Sequence, residues 1–286
     1  MIIVTGGAGF IGSTLIERLN QQGENQIIIV DDMTDARKMH QIKHLQFIDY
    51  LDKDEAIDEI KLLHPTRVFH LGGESSTTAS NGKQVIYDNY SFTKQLIRVV
   101  DCPVIYASSA SVYGNNWNYA YDPLNVYAFS KALVDHWVTR NQFSHVYGFR
   151  PYNVYGEREQ YKGDQASPIT KFHSQLSQTG QVKLFEGSEQ IFRDFVWVED
   201  VIATMLNVDQ YSIPGIYDIG TSTPVSFAEI GQAMVSKYGG ELKTVPFPVE
   251  LVGKYQKYTT ANLRPYETNN ITLPKFTNVL DYIAEM

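Results

Sequence analysis

The strongest constraint lies at the head of the chain, where Gly6-Gly7-Ala8-Gly9-Phe10-Ile11-Gly12 follows directly on the apolar run Ile2–Thr5. Gly6, Gly9 and Gly12 have TGxxGxxG spacing, and Gly7, Gly9 and Gly12 also satisfy GxGxxG. Glycine permits the tight turn, lets backbone approach a pyrophosphate, and allows a following helix to pack closely on its strand. A pyrophosphate placed there meets the free N–H groups and positive dipole of a helix N-terminus. The spacing alone is a weak signal. Its context is strong: a strand precedes it, a helix follows over Phe10–Gln22, and the pair Asp31-Asp32 closes a second apolar run.

Short β-branched runs then alternate with helical stretches. Ile2–Thr5, Ile27–Asp31, Leu45–Ile48, Arg67–Leu71, Val104–Ala107 and Val146–Phe149 read as strands buried on both faces, as in a parallel sheet. Phe10–Gln22, Lys53–Leu63, Lys83–Val100 and Asn125–Asn141 read as the helices between them. This alternation predicts an α/β chain with a doubly wound parallel sheet of Rossmann type. After Pro151 the rhythm breaks, and helices are expected at Pro168–Thr179, Phe227–Tyr238 and Asn278–Ala284. The expected division is a dinucleotide-binding domain over 1–165 and a smaller C-terminal α/β substrate lobe over 166–286. Within 190–220, Asp194–Val198 and Gly215–Ile219 are expected as strands returning to the first sheet.

A net charge of -8 and a pI near 5.4 argue against a nucleic-acid partner, which wants a basic face. A locally basic pocket for a small anion is still compatible with that balance. No apolar run is long enough to span a bilayer, so no membrane partner is expected. The single cysteine, Cys102, rules out an internal disulfide and reads as a packing residue. No basic, apolar leader precedes the first strand, and a cytoplasmic location is expected.

Asp31 lies about twenty residues beyond the glycines, where a carboxylate commonly holds the adenosine ribose of NAD. Arg37 and Lys38 follow closely and suit a 2′-phosphate instead, so spacing leaves NAD and NADP open. Tyr127 and Lys131 form a YxxxK pair that shares one helix face. A lysine ammonium beside the phenol is expected to lower its pKa towards the range of a general base. Ser109 follows the strand Val104–Ala107, at the strand end where open α/β sheets place their crevice. In a chain with 19 tyrosines YxxxK alone says little; with the glycine turn and the strand-end serine it marks a catalytic constellation.

Taken together these residues resemble the extended short-chain dehydrogenase/reductase family, whose members modify nucleotide sugars. Further segments sharpen the resemblance towards its heptose 6-epimerase branch: Ser75-Ser76-Thr77-Thr78, Pro123-Leu124-Asn125-Val126-Tyr127, Asn153-Val154-Tyr155-Gly156, Lys162-Gly163 and Lys183-Leu184-Phe185-Glu186-Gly187-Ser188 with Arg193-Asp194-Phe195. The resemblance implies an isomerase that oxidises C6 of ADP-glycero-manno-heptose to a ketone and reduces it from the other face. Tyr127 and Lys162 are implied as the two acid/base groups, with Lys131 tuning Tyr127 and Ser109 holding the reacting oxygen. It also implies a cofactor site of Gly6, Gly9, Phe10, Ile11, Gly12, Asp31, Asp32, Lys38, Lys53, Leu71, Gly72, Gly73, Asn89, Lys131 and Val154. Lys38 and Lys53 tilt that cofactor to NADP, tightly bound because each cycle returns it to its starting state, with NAD as the alternative. The implied nucleotide-sugar site is Ser109, Asn153, Asp164, Lys171, Phe185, Glu186, Gly187, Ser188, Arg193 and Tyr255, with Arg193 as the diphosphate clamp. No metal is implied, and a homo-oligomer is expected by analogy.

The chain departs from the family's pattern at four places, of which Asp164 and Lys171 bear on the substrate. Asp164 stands where the family has serine, Lys171 where it has a substrate-side histidine, and Asp31-Asp32 where Asp-Asn is usual; the Gly114–Pro123 loop is short. They leave room for another nucleotide sugar, such as GDP-heptose or a hexose, handled as a 4-epimerase, C4 oxidoreductase or dehydratase. Ser109-Ala110-Ser111 lacks the acid pair usual in dehydratases. A non-catalytic dinucleotide-binding regulator is the remaining alternative, disfavoured because Ser109, Tyr127 and Lys131 are all retained.

Overall fold

The computed structural model describes residues 1–286 apart from Trp117, Ser212, Glu250, Leu251, Gly253 and Lys254. Its strands are β1 (Ile2–Thr5), β2 (Ile27–Asp31), β3 (Asp49–Asp52), β4 (Arg67–His70), β5 (Val104–Ala107), β6 (Val146–Pro151), β7 (Asn153–Tyr155), β8 (Gln181–Phe185), β9 (Phe192–Arg193), β10 (Phe195–Trp197), β11 (Ile216–Ile219), β12 (Val225–Ser226) and β13 (Glu241–Val245). Seven of them form one parallel sheet in the order β11-β6-β5-β4-β1-β2-β3. Successive side chains alternate between its faces. Ile2, Val4, Ile27, Ile29, Phe69 and Ile105 enter one core, while Ile3, Ile28, Val30, Val68, Val104 and Tyr106 enter the other. Two covered faces explain why these strands read as unbroken apolar runs.

Three sequence expectations need correction. The third strand is Asp49–Asp52, not Leu45–Ile48. It is the sheet edge, with only Leu51 buried, so it needs no apolar run; Leu45 and Phe47 pack instead against the core beside the first helix. The stretch expected as one helix over Lys83–Val100 is helical throughout Gly82–Val99 but widens to a π turn at Tyr87–Ser91. Gly215–Ile219 does return to the main sheet as β11, whereas Asp194–Val198 does not. Its strand β10 pairs with β7 in a separate two-stranded ladder.

A third core unites Ile169, Phe172 and Leu176 of the helix Pro168–Thr179 with Ile230 and Met234 of Phe227–Tyr238 and Val279 and Ile283 of Val279–Glu285. Val182 and Leu184 of the parallel β8–β13 pair complete it. Cys102 is half-buried against the sheet core, as a packing residue.

At the end of β4, His70 is fully enclosed, with Nδ1 2.6 Å from Thr5 Oγ1 and Nε2 2.7 Å from Thr93 Oγ1. Burial, reinforced by the Lys131 ammonium, depresses its pKa to about 3. Unfolded histidine titrates near 6.5, so between those values the unfolded chain holds the extra proton. Stability therefore falls as pH drops through this window, with a limiting slope of about 1.4 kcal/mol per pH unit. Denaturation midpoints followed from about pH 7 to pH 4 should fall more steeply for wild type than for His70→Gln. Parallel curves would remove His70 as the cause.

Candidate active site

The glycine turn links β1 to the helix Phe10–Gln21. Gly6 has φ +67°, and a Cβ there would lie 2.6 Å from Gly72 N; one on Gly12 would lie 2.1 Å from Gly6 O. Only glycine fits either position. Gly9 caps the helix without a side-chain hydrogen bond, and its first turn carries no acid. The leading N–H groups and the dipole thus meet whatever occupies the turn, and this cradle fits a dinucleotide pyrophosphate. Leu71 and Gly72 line the same strand end, their N–H groups bonded to Thr5 O and Thr5 Oγ1 at 3.0 and 3.2 Å.

Gly73, at φ +137°, is held close to Asn89: a Cβ there would lie 2.2 Å from Asn89 Oδ1. Asn89 sits in the π turn, 1% exposed, and donates to Glu74 O at 3.0 Å and Ser130 Oγ at 2.8 Å. Its Oδ1 is buried without a hydrogen-bond partner, an acceptor suited to a cofactor donor.

Asp31 and Lys38, which the sequence sets in opposition, are partners. Asp31 accepts Ala8 N at 2.7 Å and Asp32 N at 2.7 Å, and Lys38 Nζ donates to it at 2.8 Å. The carboxylate braces the glycine turn and is neutralised by the lysine. Lys53 lies between Asp32 and Asp88, at 3.3 and 3.4 Å. Ile11 and Val154 both pack half-buried against the sheet core.

Tyr127 and Lys131 lie on the helix Val126–Asn141, whose start is fixed by Asn125 accepting Ala128 N at 2.9 Å. Ser109 is hydrogen-bonded to the Tyr127 side chain, which brings the serine and the phenol together. Ser109 Oγ also accepts from Ser111 N at 3.2 Å and Ser111 Oγ at 2.9 Å. The expected lowering of the Tyr127 pKa is not found: burial raises it, the Ser109 bond opposes, and the Glu74 charge adds to the rise. Lys131 instead donates to Ala107 O at 2.8 Å, and burial brings its own pKa down to about 8 against the pull of Asp135. At neutral pH Tyr127 keeps its proton, which suits an acid better than a base.

Lys162 stands in the turn Gln160–Gln165, its Nζ 5.4 Å from the centre of the Phe10 ring. That turn is anchored on Glu159, which is fully buried and accepts Ser167 N and Thr170 Oγ1, both at 2.8 Å, together with the Ser167 hydroxyl. Burial lowers the Lys162 pKa; Glu159 opposes, and Lys171 pushes it further down. Lys171 is lowered by burial as well, with Asp164 and Glu159 opposing. Asp164 itself is exposed.

Arg193 is 5% exposed and forms no ion pair among the described residues. Its Nη1 donates to Phe192 O at 2.9 Å and its Nη2 to Gln256 O, with the guanidinium 4.9 Å from the Tyr255 ring and 5.6 Å from Phe227. Asp194 does not pair with it; that carboxylate takes Thr221, Ser222 and Ala261 N–H groups. A buried cation without a carboxylate is a place for an anionic ligand. Phe185, Phe247 and Tyr255 form a chain of ring contacts at 5.6 and 5.7 Å, leading from β8 to this guanidinium. Asn153 donates its N–H to Asp194 O at 3.0 Å; Glu186 and Gly187 form an exposed turn, with Ser188 buried behind them.

One cluster escaped the sequence. Arg150 Nε donates to Asp135 Oδ2 at 2.8 Å and its Nη1 to the Tyr113 hydroxyl at 2.6 Å; Tyr113 and Tyr152 donate to Asp218 at 2.7 and 3.0 Å. Ser108, next to Ser109, donates to Asp135 at 2.9 Å. Four remote segments supply these groups, and no spacing announces them.

Residues 2–220 match the model of the NAD dependent epimerase/dehydratase family. Among solved structures, the Helicobacter pylori ADP-L-glycero-D-manno-heptose-6-epimerase is 28% identical with a TM-score of 0.88, over 99% of this chain and 93% of that one. The Thermotoga maritima UDP-glucose 4-epimerase with UDP-glucose has a TM-score of 0.85 at 22% identity, over 99% of this chain and 96% of that one. The Thermus thermophilus UDP-glucose 4-epimerase complex with NAD has a TM-score of 0.81 at 24% identity, with the same coverage. These last two share the fold.

Proposed function

The chain belongs to the NAD dependent epimerase/dehydratase family, and we propose that it is a nucleotide-sugar epimerase inverting C6 of ADP-glycero-manno-heptose. The observation carrying the epimerase reading is a pair of proton carriers brought from separate segments, Tyr127 against Ser109 and Lys162 over the Phe10 ring at the glycine turn, each with its pKa shifted by burial. A carbinol oxidised from one face and re-reduced from the other needs a proton acceptor on one side and a donor on the other. A bound nicotinamide supplies reversible hydride acceptance. With that chemistry supplied, Lys162, eased towards its neutral form, would take the hydroxyl proton and Tyr127 would donate one to the ketone oxygen, and proton exchange with solvent would return both groups to their starting states. The reverse direction exchanges the two roles. Ser109 holds the oxygen through its contact with Tyr127, and Arg193 anchors the diphosphate.

The test is to incubate the protein with ADP-heptose, GDP-heptose and UDP-glucose and follow C6 and C4 configuration by NMR. C6 inversion of ADP-heptose is expected. Turnover of another sugar in its place would transfer the epimerase reading to that substrate, as the Asp164 and Lys171 departures would then explain.

For the cofactor we favour NADP. Lys38 neutralises Asp31, so a 2′-phosphate approaches a compensated carboxylate, and Lys53 lies nearby. Lys38→Ala should lose about tenfold or more of its NADP affinity relative to NAD, as expected for one charge-assisted phosphate contact. Fluorescence titration with both cofactors measures the ratio, and an unchanged ratio removes Lys38 from that role.

A further inference from the structure

The segment that carries Lys162 is strapped over the first helix. Ahead of the lysine, the Arg158 guanidinium pairs with Glu17 of that helix, and Glu159 accepts Ser167 N and the Thr170 hydroxyl. Beyond it, Gln165 Oε1 accepts from Ser75 Oγ at 3.3 Å. Between these ties Tyr161 leans over the glycine turn, where a Cβ on Gly9 would lie 3.8 Å from its hydroxyl. The ring packs half-buried against the core that contains Phe10, and the hydroxyl accepts the Phe10 N–H, the first of the helix. Burial raises the phenol to about 12 against that bond, and Asp31, Asp35 and Glu159 add to the rise, so the group at the cradle is neutral. A neutral hydroxyl thus takes a donor that the helix dipole gives more favourably to an anion.

We propose that the Tyr161 hydroxyl is a displaceable cap on the pyrophosphate cradle, competing with a phosphate oxygen for the Phe10 N–H and yielding it when the cofactor binds. This rests on the family's nicotinamide dinucleotide and not on the sugar that is turned over. One N–H makes one strong hydrogen bond, so binding costs the bond to Tyr161. The half-buried side chain can then turn its hydroxyl to water. NAD and NADP carry the same pyrophosphate, so the cap weakens both alike and has no part in choosing between them. Lys162 follows Tyr161 on the strap and stands over the Phe10 ring, so the displacement reaches that lysine as well.

The experiment is calorimetry and thermal melting on the full chain, stripped of nucleotide, as wild type and as Tyr161→Phe, with NAD and with NADP. Phenylalanine keeps the ring packing and removes only the hydroxyl. The variant should bind each cofactor about twofold to tenfold tighter than wild type, the worth of one hydrogen bond no longer given up. Without cofactor it should melt below wild type, and at saturating cofactor the gap should close. Weaker binding, with a gap that widens as cofactor is added, overturns the cap, because the hydroxyl would then hold the phosphates. Unchanged affinity overturns it too, as does a gain confined to NADP, which would place Tyr161 at the 2′-phosphate. Tighter binding in a chain that does not invert C6 upholds the cap and fails only the substrate reading. Binding of neither cofactor by wild type overturns the cap together with the dinucleotide reading of the glycine turn.

Discussion

Tyr127→Phe should lower epimerisation by about 10²–10⁴-fold, the range for losing a positioned acid/base group. The substitution removes one oxygen and leaves the ring packing of a half-buried side chain in place. Stability and cofactor affinity should therefore stay near wild type, with the loss confined to turnover. The pH profile adds a readout that a packing role would not move. Burial raises this phenol, so its limb lies on the alkaline side, where loss of the proton disables the donor. In the direction that uses Tyr127 as acid, the rate should fall as pH rises through that limb. Steady-state rates by NMR and cofactor titration check both points. Near-wild-type turnover in Tyr127→Phe would remove it from the mechanism.

The lysine beside it acts differently from what a YxxxK pair suggests. Spacing places Lys131 on the tyrosine's helix face, but it cannot say what else surrounds an ammonium. Ala107 O accepts a hydrogen bond from Lys131, and burial is the largest influence on both pKa values, raising that of Tyr127 and lowering that of Lys131. The direction of the Tyr127 shift thus depends on enclosure, which is a property of the folded chain. The same limit applies to Asp31 and Lys38. Read along the chain they favour different cofactors, and only in space do they become one ion pair bracing Ala8.

What was legible follows the same division. Buried strands declare themselves because both faces are apolar, so β1, β2 and β5 lie where the runs place them. The edge strand β3, with one buried residue, carries no such run and was displaced by several positions. The glycine turn is legible because each glycine answers a local steric demand, as the 2.1 Å approach of a Gly12 Cβ to Gly6 O makes plain. The π turn around Asn89 preserves helical periodicity on both sides and leaves no trace in the pattern. Arg150, Asp135 and Asp218 come from three segments over 84 positions and become a site only through folding.

Lys162 provides the second large effect, and two substitutions separate its possible roles. Lys162→Met should lower epimerisation by about 10²-fold or more, because one face loses its proton carrier. Lys162→Arg retains a cation of similar reach, yet a guanidinium does not deprotonate in the working range and cannot relay a proton. Both variants should therefore fail alike if the lysine works by proton transfer. The setting supports that role: burial, with Lys171 adding to it, moves Lys162 down from the usual lysine range, while Glu159 limits the fall. In the direction that uses Lys162 as base, wild-type kcat/KM should rise with pH through its titration, and that rise should vanish in both variants. Recovery of most activity in Lys162→Arg would make the residue an electrostatic anchor, leaving Tyr127 alone with the proton chemistry. A C6 inversion would then require a second donor reaching the opposite face, and Lys171, also brought down by burial, is the next group to substitute.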